Sequence, residues 1–168
     1  AGSAAAHTGR DVVRVIALPE LAAIPLAAFA PALAQLGVPS DPVRAVPELL
    51  ARVGRSAGRH LLLVDDAPWL DDVSAAAVHQ LVRGFGVPAI ITARLGEALP
   101  APLARLVDEG AAEVRMLDGL GEGEVALLLE ERFGAPVRHE HVARLAGRTG
   151  GNPLFLRMLV ETAVRRGD

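Results

Sequence analysis

Two adjacent carboxylates, Asp65 and Asp66, end the apolar run Leu61-Leu62-Leu63-Val64. A carboxylate placed there can hold Mg²⁺ directly or through its waters, and its neighbour can orient or polarise an attacking water. Asp65 is the candidate for the metal side and Asp66 for the water side. Thr92 and Arg94 close a second short apolar run around Ala89-Ile90-Ile91. They stand where a γ-phosphate could be contacted, or its loss coupled to movement. The plain alternative is a turn, because Asp commonly ends a strand and opens a loop.

The surrounding elements must position these residues. An apolar run of this length, followed by turn signals, reads as a strand buried on both faces. In open α/β sheets, ligands bind at the carboxyl ends of such strands. Asp11 to Leu18 is rich in β-branched residues and predicts a strand, ended by Pro19. A helix is expected from Ala22-Ala23-Ile24 to about Leu36, stopped by Gly37. Another runs from Pro42, with Ser40 or Asp41 as cap, to about Arg55. Asp71 and Asp72 cap a helix whose face carries Val73, Ala77, Val78, Leu81 and Val82, with Gly84 and Gly86 at its end. Val87 to Arg94 is another short apolar run ending in polar residues, a candidate neighbouring strand, and a helix is expected from Pro100 or Pro102 to about Asp108. Glu113 to Leu117 alternates and predicts a strand with one wetter face. Ala4 to Arg10 reads as a helix tail closed by Gly9. Strand and helix in alternation imply a mostly parallel sheet with helices on its faces.

From Gly121 onward the pattern is helical only. Helices are expected over 122–133, over 139–148, and from a cap at Asn152 with Pro153 in the first turn to Arg166. Arg157, Glu161 and Arg165 form a solvated ladder opposite Leu156, Leu159, Val160 and Ala163. The division expected is an α/β domain over 1–118 and a small helical lid over 119–168. His139 and His141 are two apart and do not share a helix face. His60 and His79 read as structural or surface residues, and Trp69 as an anchor for the loop after the carboxylates.

Composition narrows the function classes. The chain has 168 residues, a net charge of −3 and no cysteine, which excludes disulfides and thiolate metal sites. All 17 basic residues are arginine. They are scattered among acids, so no stripe for nucleic acid is present and no direct DNA binding is expected. The apolar stretch Leu21 to Leu36 is broken by prolines and is too short for a membrane span. No signal peptide is evident, and a cytoplasmic location is expected. The opening Ala1-Gly2-Ser3, without Met, reads as a cloning remnant on a fragment of something longer.

The run Leu61 to Asp66, followed by Ala67-Pro68-Trp69-Leu70-Asp71, resembles the Walker B strand of the signal-transducing STAND branch of P-loop ATPases. It is most similar to that of the large LuxR-type transcriptional regulators, the LAL group. Ile24-Pro25-Leu26-Ala27-Ala28-Phe29-Ala30-Pro31 resembles the segment after the family's second strand. Ala89 to Arg94 resembles its sensor strand, and Thr149-Gly150-Gly151-Asn152-Pro153-Leu154-Phe155-Leu156 its lid GxP motif. These motifs occur in family order over nearly the whole chain.

The resemblance implies a P-loop NTPase-like (AAA/STAND) α/β fold with a helical lid. It also implies ATP or ADP with Mg²⁺ as cofactors of the intact protein, and a switch function in signal transduction. Asp65 would face Mg²⁺, Asp66 the water, and Thr92, Arg94, Asn152 and Pro153 the nucleotide. The departure is the phosphate loop. GxxxxGK[ST] requires a lysine, this chain has none, and Gly2 and Gly9 lack the spacing. By the resemblance, the loop and the first strand lie upstream, and this chain alone is expected to bind little or no nucleotide. The absent strand belongs between the sensor strand and Glu113 to Leu117. A rearranged sheet, a dimer or a swapped element is therefore expected, with self-association through sheet edges. Two rival readings are a degenerate NTPase-like scaffold for protein partners and a module of a different AAA+ machine. The Asp-Asp pair and the lid motif fit the latter less well.

Overall fold

The computed structural model describes residues 9–166. The chain divides into two compact units, the first ending at Val114 and the second beginning at Arg115. The division falls a few residues before the boundary expected from the sequence. The helix tail expected ahead of Gly9 lies outside the described residues.

The first unit is α/β. Its strands are β1 (Asp11–Ile16), β2 (His60–Asp65) and β3 (Ala89–Ile91), all parallel, in the order β1-β2-β3. The helices are α1 (Ala30–Leu36), α2 (Pro42–Leu49), α3 (Asp72–His79) and α4 (Ala101–Asp108). A wider helical turn extends α2 over Leu50–Gly54 and α3 over Gln80–Gly84.

Register places Val13, Leu62 and Ala89 in one row, and Val15, Val64 and Ile91 in another on the same face. These six residues share one core with Leu33 of α1, Leu49 of α2, Val78 of α3 and Leu103 of α4. The single face follows from topology. Crossovers between parallel strands are right-handed, so a sheet built in sequential order receives its helices on the same side. The opposite face carries Arg14, Leu63 and Ile90, none of which belongs to that core among the described residues. Ile90 is 50% exposed. The expectation of two-sided burial thus holds in part: β2 buries Leu61, Leu62 and Val64, with Leu63 half-buried.

Two expected elements are corrected. The helix expected from Ala22 begins only at Ala30; short 3₁₀ turns occupy Pro19–Leu21 and Ala27–Phe29 before it. Leu26 lies between them in the left-handed region at φ 60°, which a continuing helix cannot contain. Its N–H donates to Asp71 Oδ1 at 3.2 Å, a tertiary bond that replaces the helical one. The strand expected over 113–117 is not formed, and Val114, Met116 and Leu117 are exposed. Alternation can define a face, but a strand also needs a neighbour for its backbone groups. No strand lies beyond β3 among the described residues. The expected rearrangement of the sheet within the chain is therefore not found.

The second unit holds α5 (Glu122–Phe133), α6 (His139–Thr149) and α7 (Pro153–Arg166). Its core is Val125, Leu129, Val142, Leu156 and Val160. Gly134 and Gly150 end α5 and α6 in the left-handed conformation. This suits residues without a Cβ. Gly151, at φ 70°, also meets the Gly119-Leu120 backbone, and Leu120 N–H donates to Gly151 O at 2.8 Å. The ladder on α7 forms: Arg157 Nε donates to Glu161 Oε1 at 2.8 Å and Arg165 Nε to Glu161 O at 3.3 Å. The hydrogen bond and charge of Arg157 hold the Glu161 carboxyl below its ordinary value.

Among the described residues no helix is long and apolar enough to cross a membrane.

Candidate functional site

The carboxyl ends of β2 and β3 are joined beyond the regular ladder. Thr92 N–H donates to Val64 O at 2.9 Å, and Ala67 N–H donates to Thr92 O at 2.9 Å. β1 ends alongside, with Ala17 N–H donating to Asp65 O at 3.1 Å. Asp65 therefore projects from the end of a strand held on both sides, while its side chain stays exposed.

Asp66 follows in the left-handed conformation, at φ 53° and ψ 49°. This reverses the chain into the 3₁₀ turn Ala67–Trp69, where Trp69 N–H donates to Asp66 O at 3.0 Å. Asp tolerates this region better than most side chains. The Thr92 hydroxyl donates to Asp65 Oδ1 at 2.7 Å and accepts from Asp66 N–H at 3.0 Å. Arg94 Nε lies 3.5 Å from Asp66 Oδ1, with both side chains exposed. Such a surface pair contributes only about 0–1 kcal/mol.

The turn is anchored at its far end by Asp71, only 8% exposed. Asp71 is the expected cap of α3: its Oδ1 accepts from Ser74 N–H at 2.9 Å and its Oδ2 from the Ser74 hydroxyl at 2.6 Å. Oδ1 also takes the N–H of Leu26, 45 residues away. The sequence signals the cap, through an Asp before an apolar helix face. Nothing local signals the tether.

Four of the expected site residues, Asp65, Asp66, Thr92 and Arg94, thus share one edge of the sheet. Asn152 and Pro153 belong to the second unit. There Asn152 Oδ1 accepts from Leu154 N–H at 2.9 Å and from Phe155 N–H at 3.4 Å, capping α7, with Pro153 in its first position.

The pair Asp65 and Asp66 fits a hard divalent cation in donor type. Mg²⁺ is commonly held by one or two carboxylates plus waters and phosphate oxygens, without a dedicated cage. The Thr92 bond takes one lone pair of Asp65 Oδ1, and a carboxylate has further lone pairs for a cation or its waters. Among the described residues no group of three or more His, Asp or Glu side chains is gathered as a metal cluster. His139 is exposed and His141 half-buried, with Nδ1 of His139 3.9 Å from Glu122 and Nε2 of His141 3.7 Å from Glu140. His60 is buried, and its Nδ1 and the Nε2 of His79 have no partner among the described residues.

No protein-family model matches the chain, and no curated protein matches it in sequence.

Proposed function

We propose that this chain is part of a regulatory ATP-binding domain of the STAND type, from a LuxR-family transcriptional regulator. In the intact protein the domain acts as a nucleotide-dependent switch in the cytoplasm, and DNA is bound elsewhere in that protein. The observation that carries this reading is the gathering of Asp65, Asp66, Thr92 and Arg94 at the carboxyl edge of a parallel sheet. Binding at that edge is what open α/β sheets favour.

Each residue has a role in this reading. Asp65 holds Mg²⁺, directly or through water, and Asp66 orients the attacking water. Thr92 and Arg94 face the phosphate end of the nucleotide, and Asn152 and Pro153 the nucleotide from the lid. The cation, when bound, neutralises phosphate charge and so favours both binding and transfer. Most phosphate contacts in such sites come from a glycine-rich loop and its lysine. This chain has no lysine, so alone it binds nucleotide poorly and turns none over.

Calorimetry of this chain with ADP and Mg²⁺ is expected to show no micromolar binding. In the intact parent protein, Asp65→Ala is expected to impair Mg-nucleotide binding or turnover, and Asp66→Ala mainly to slow turnover. If neither substitution changes nucleotide handling there, the carboxylates are a turn and the chain is a scaffold for protein partners.

A further inference from the structure

The left-handed backbone at Asp66 requires something to hold it. A non-glycine residue in a sparsely populated region persists only where its surroundings over-determine it, and such residues cluster at functional sites. Here the surroundings are mostly one residue. Thr92 bonds four consecutive positions: Val64 O through its N–H, Asp65 Oδ1 and Asp66 N–H through its hydroxyl, and Ala67 N–H through its carbonyl. The two backbone bonds would survive in any residue at position 92. The two hydroxyl bonds would not.

We propose that Thr92 is a positioning residue whose hydroxyl fixes the Asp65 side chain and couples it to the left-handed turn at Asp66. The functional sense of this inference rests on reading Asp65 as the cation-side carboxylate. A hydroxyl has one proton, and here it goes to Asp65, while a lone pair takes the Asp66 amide. In this arrangement Thr92 acts on the phosphate end of the site through the carboxylates it holds. Anything that draws Asp65 Oδ1 away frees the hydroxyl to rotate and weakens its hold on Asp66. The disturbance then reaches the turn carrying Trp69, whose N–H donates to Asp66 O.

The test compares Thr92→Val and Thr92→Ser with the unsubstituted chain by NMR. Three-bond couplings read the Asp65 χ1 rotamer, and hydrogen exchange reads the Asp66 amide. The unsubstituted chain and Thr92→Ser are expected to show one Asp65 rotamer and a protected Asp66 amide. Thr92→Val is expected to average the rotamer and to speed exchange at Asp66 about tenfold, the change for one lost hydrogen bond. Emission from Trp69, the only tryptophan, should shift in Thr92→Val alone. A single fixed rotamer in Thr92→Val, or averaging in Thr92→Ser, overturns the proposal. Should Thr92→Val not fold, Thr92→Ala read against Thr92→Ser makes the same comparison. The rotamer and amide readouts need no nucleotide, so a failed ATPase assignment leaves them unchanged and a free Asp65 rotamer leaves that assignment untouched.

Discussion

Asp71→Ala removes one buried carboxylate and three hydrogen bonds at once. The cap bond to Ser74 N–H holds the start of α3, and losing an Asp cap costs about 1 kcal/mol. The bond from Leu26 N–H is buried. Leaving that donor without a partner costs a further ~1–3 kcal/mol. The Ser74 hydroxyl is also buried, but it can rotate toward a carbonyl of the preceding turn, so its share is smaller. The sum is about 3 kcal/mol, a large fraction of the stability of a domain this size. Asp71→Asn is the control. Both backbone donors use Oδ1, which the amide oxygen replaces, and the Ser74 hydroxyl can accept from the new amide group. Its expected cost is under about 1 kcal/mol, because Asn caps as well as Asp. Urea unfolding followed by Trp69 emission reads the first unit alone, since the only tryptophan lies there. The variants should move the midpoint without changing the slope. A loss below about 1 kcal/mol for Asp71→Ala, or equal damage from Asp71→Asn, would refute the dependence of the Leu26 and Ser74 N–H groups on Asp71 Oδ1.

Further tests address other parts of the molecule. Gly151→Ala places a Cβ against the Leu120 backbone at a residue held at φ 70°. The left-handed backbone alone costs about 1–2 kcal/mol, so the second unit should lose helical signal at lower temperature by circular dichroism; an unchanged melt would contradict the close approach. The outer edge of β3 has no neighbour among the described residues, and Ile90 beside it is half exposed. Self-association through that edge is expected in sedimentation velocity and should weaken in Ile90→Lys, because edge charges oppose strand pairing. A wild-type chain that stays monomeric at its highest soluble concentration would remove this interface.

Most elements were legible because their signals are local. A β-branched run marks β1 and an apolar leucine-rich run marks β2, and glycines that adopt the left-handed conformation end α1, α5 and α6. Asp71 and Asn152 mark helix starts by side-chain chemistry that works within three residues. The clustering of Asp65 and Asp66 with Thr92 and Arg94 was also legible, because parallel strands place their carboxyl ends side by side. The missed strand over 113–117 shows the limit. Its alternation is real, but the partner that would complete a ladder is not a property of the segment.

The sequence by itself determined most of the helical and extended segments, where most of them stop, and which carboxylates stand at the end of the central strand. Those properties depend on φ/ψ preference and side-chain period, which act within a few residues. Only the tertiary structure decided that helices cover one face of the sheet, that α1 starts at Ala30, and that Asp66 turns left-handed under the Thr92 hydroxyl. Each of these depends on strand order or on a bond between groups distant in sequence, such as Leu26 with Asp71 or Asp65 with Thr92. Such pairings are specified only once the chain has packed, because a donor's need for a partner does not name the partner.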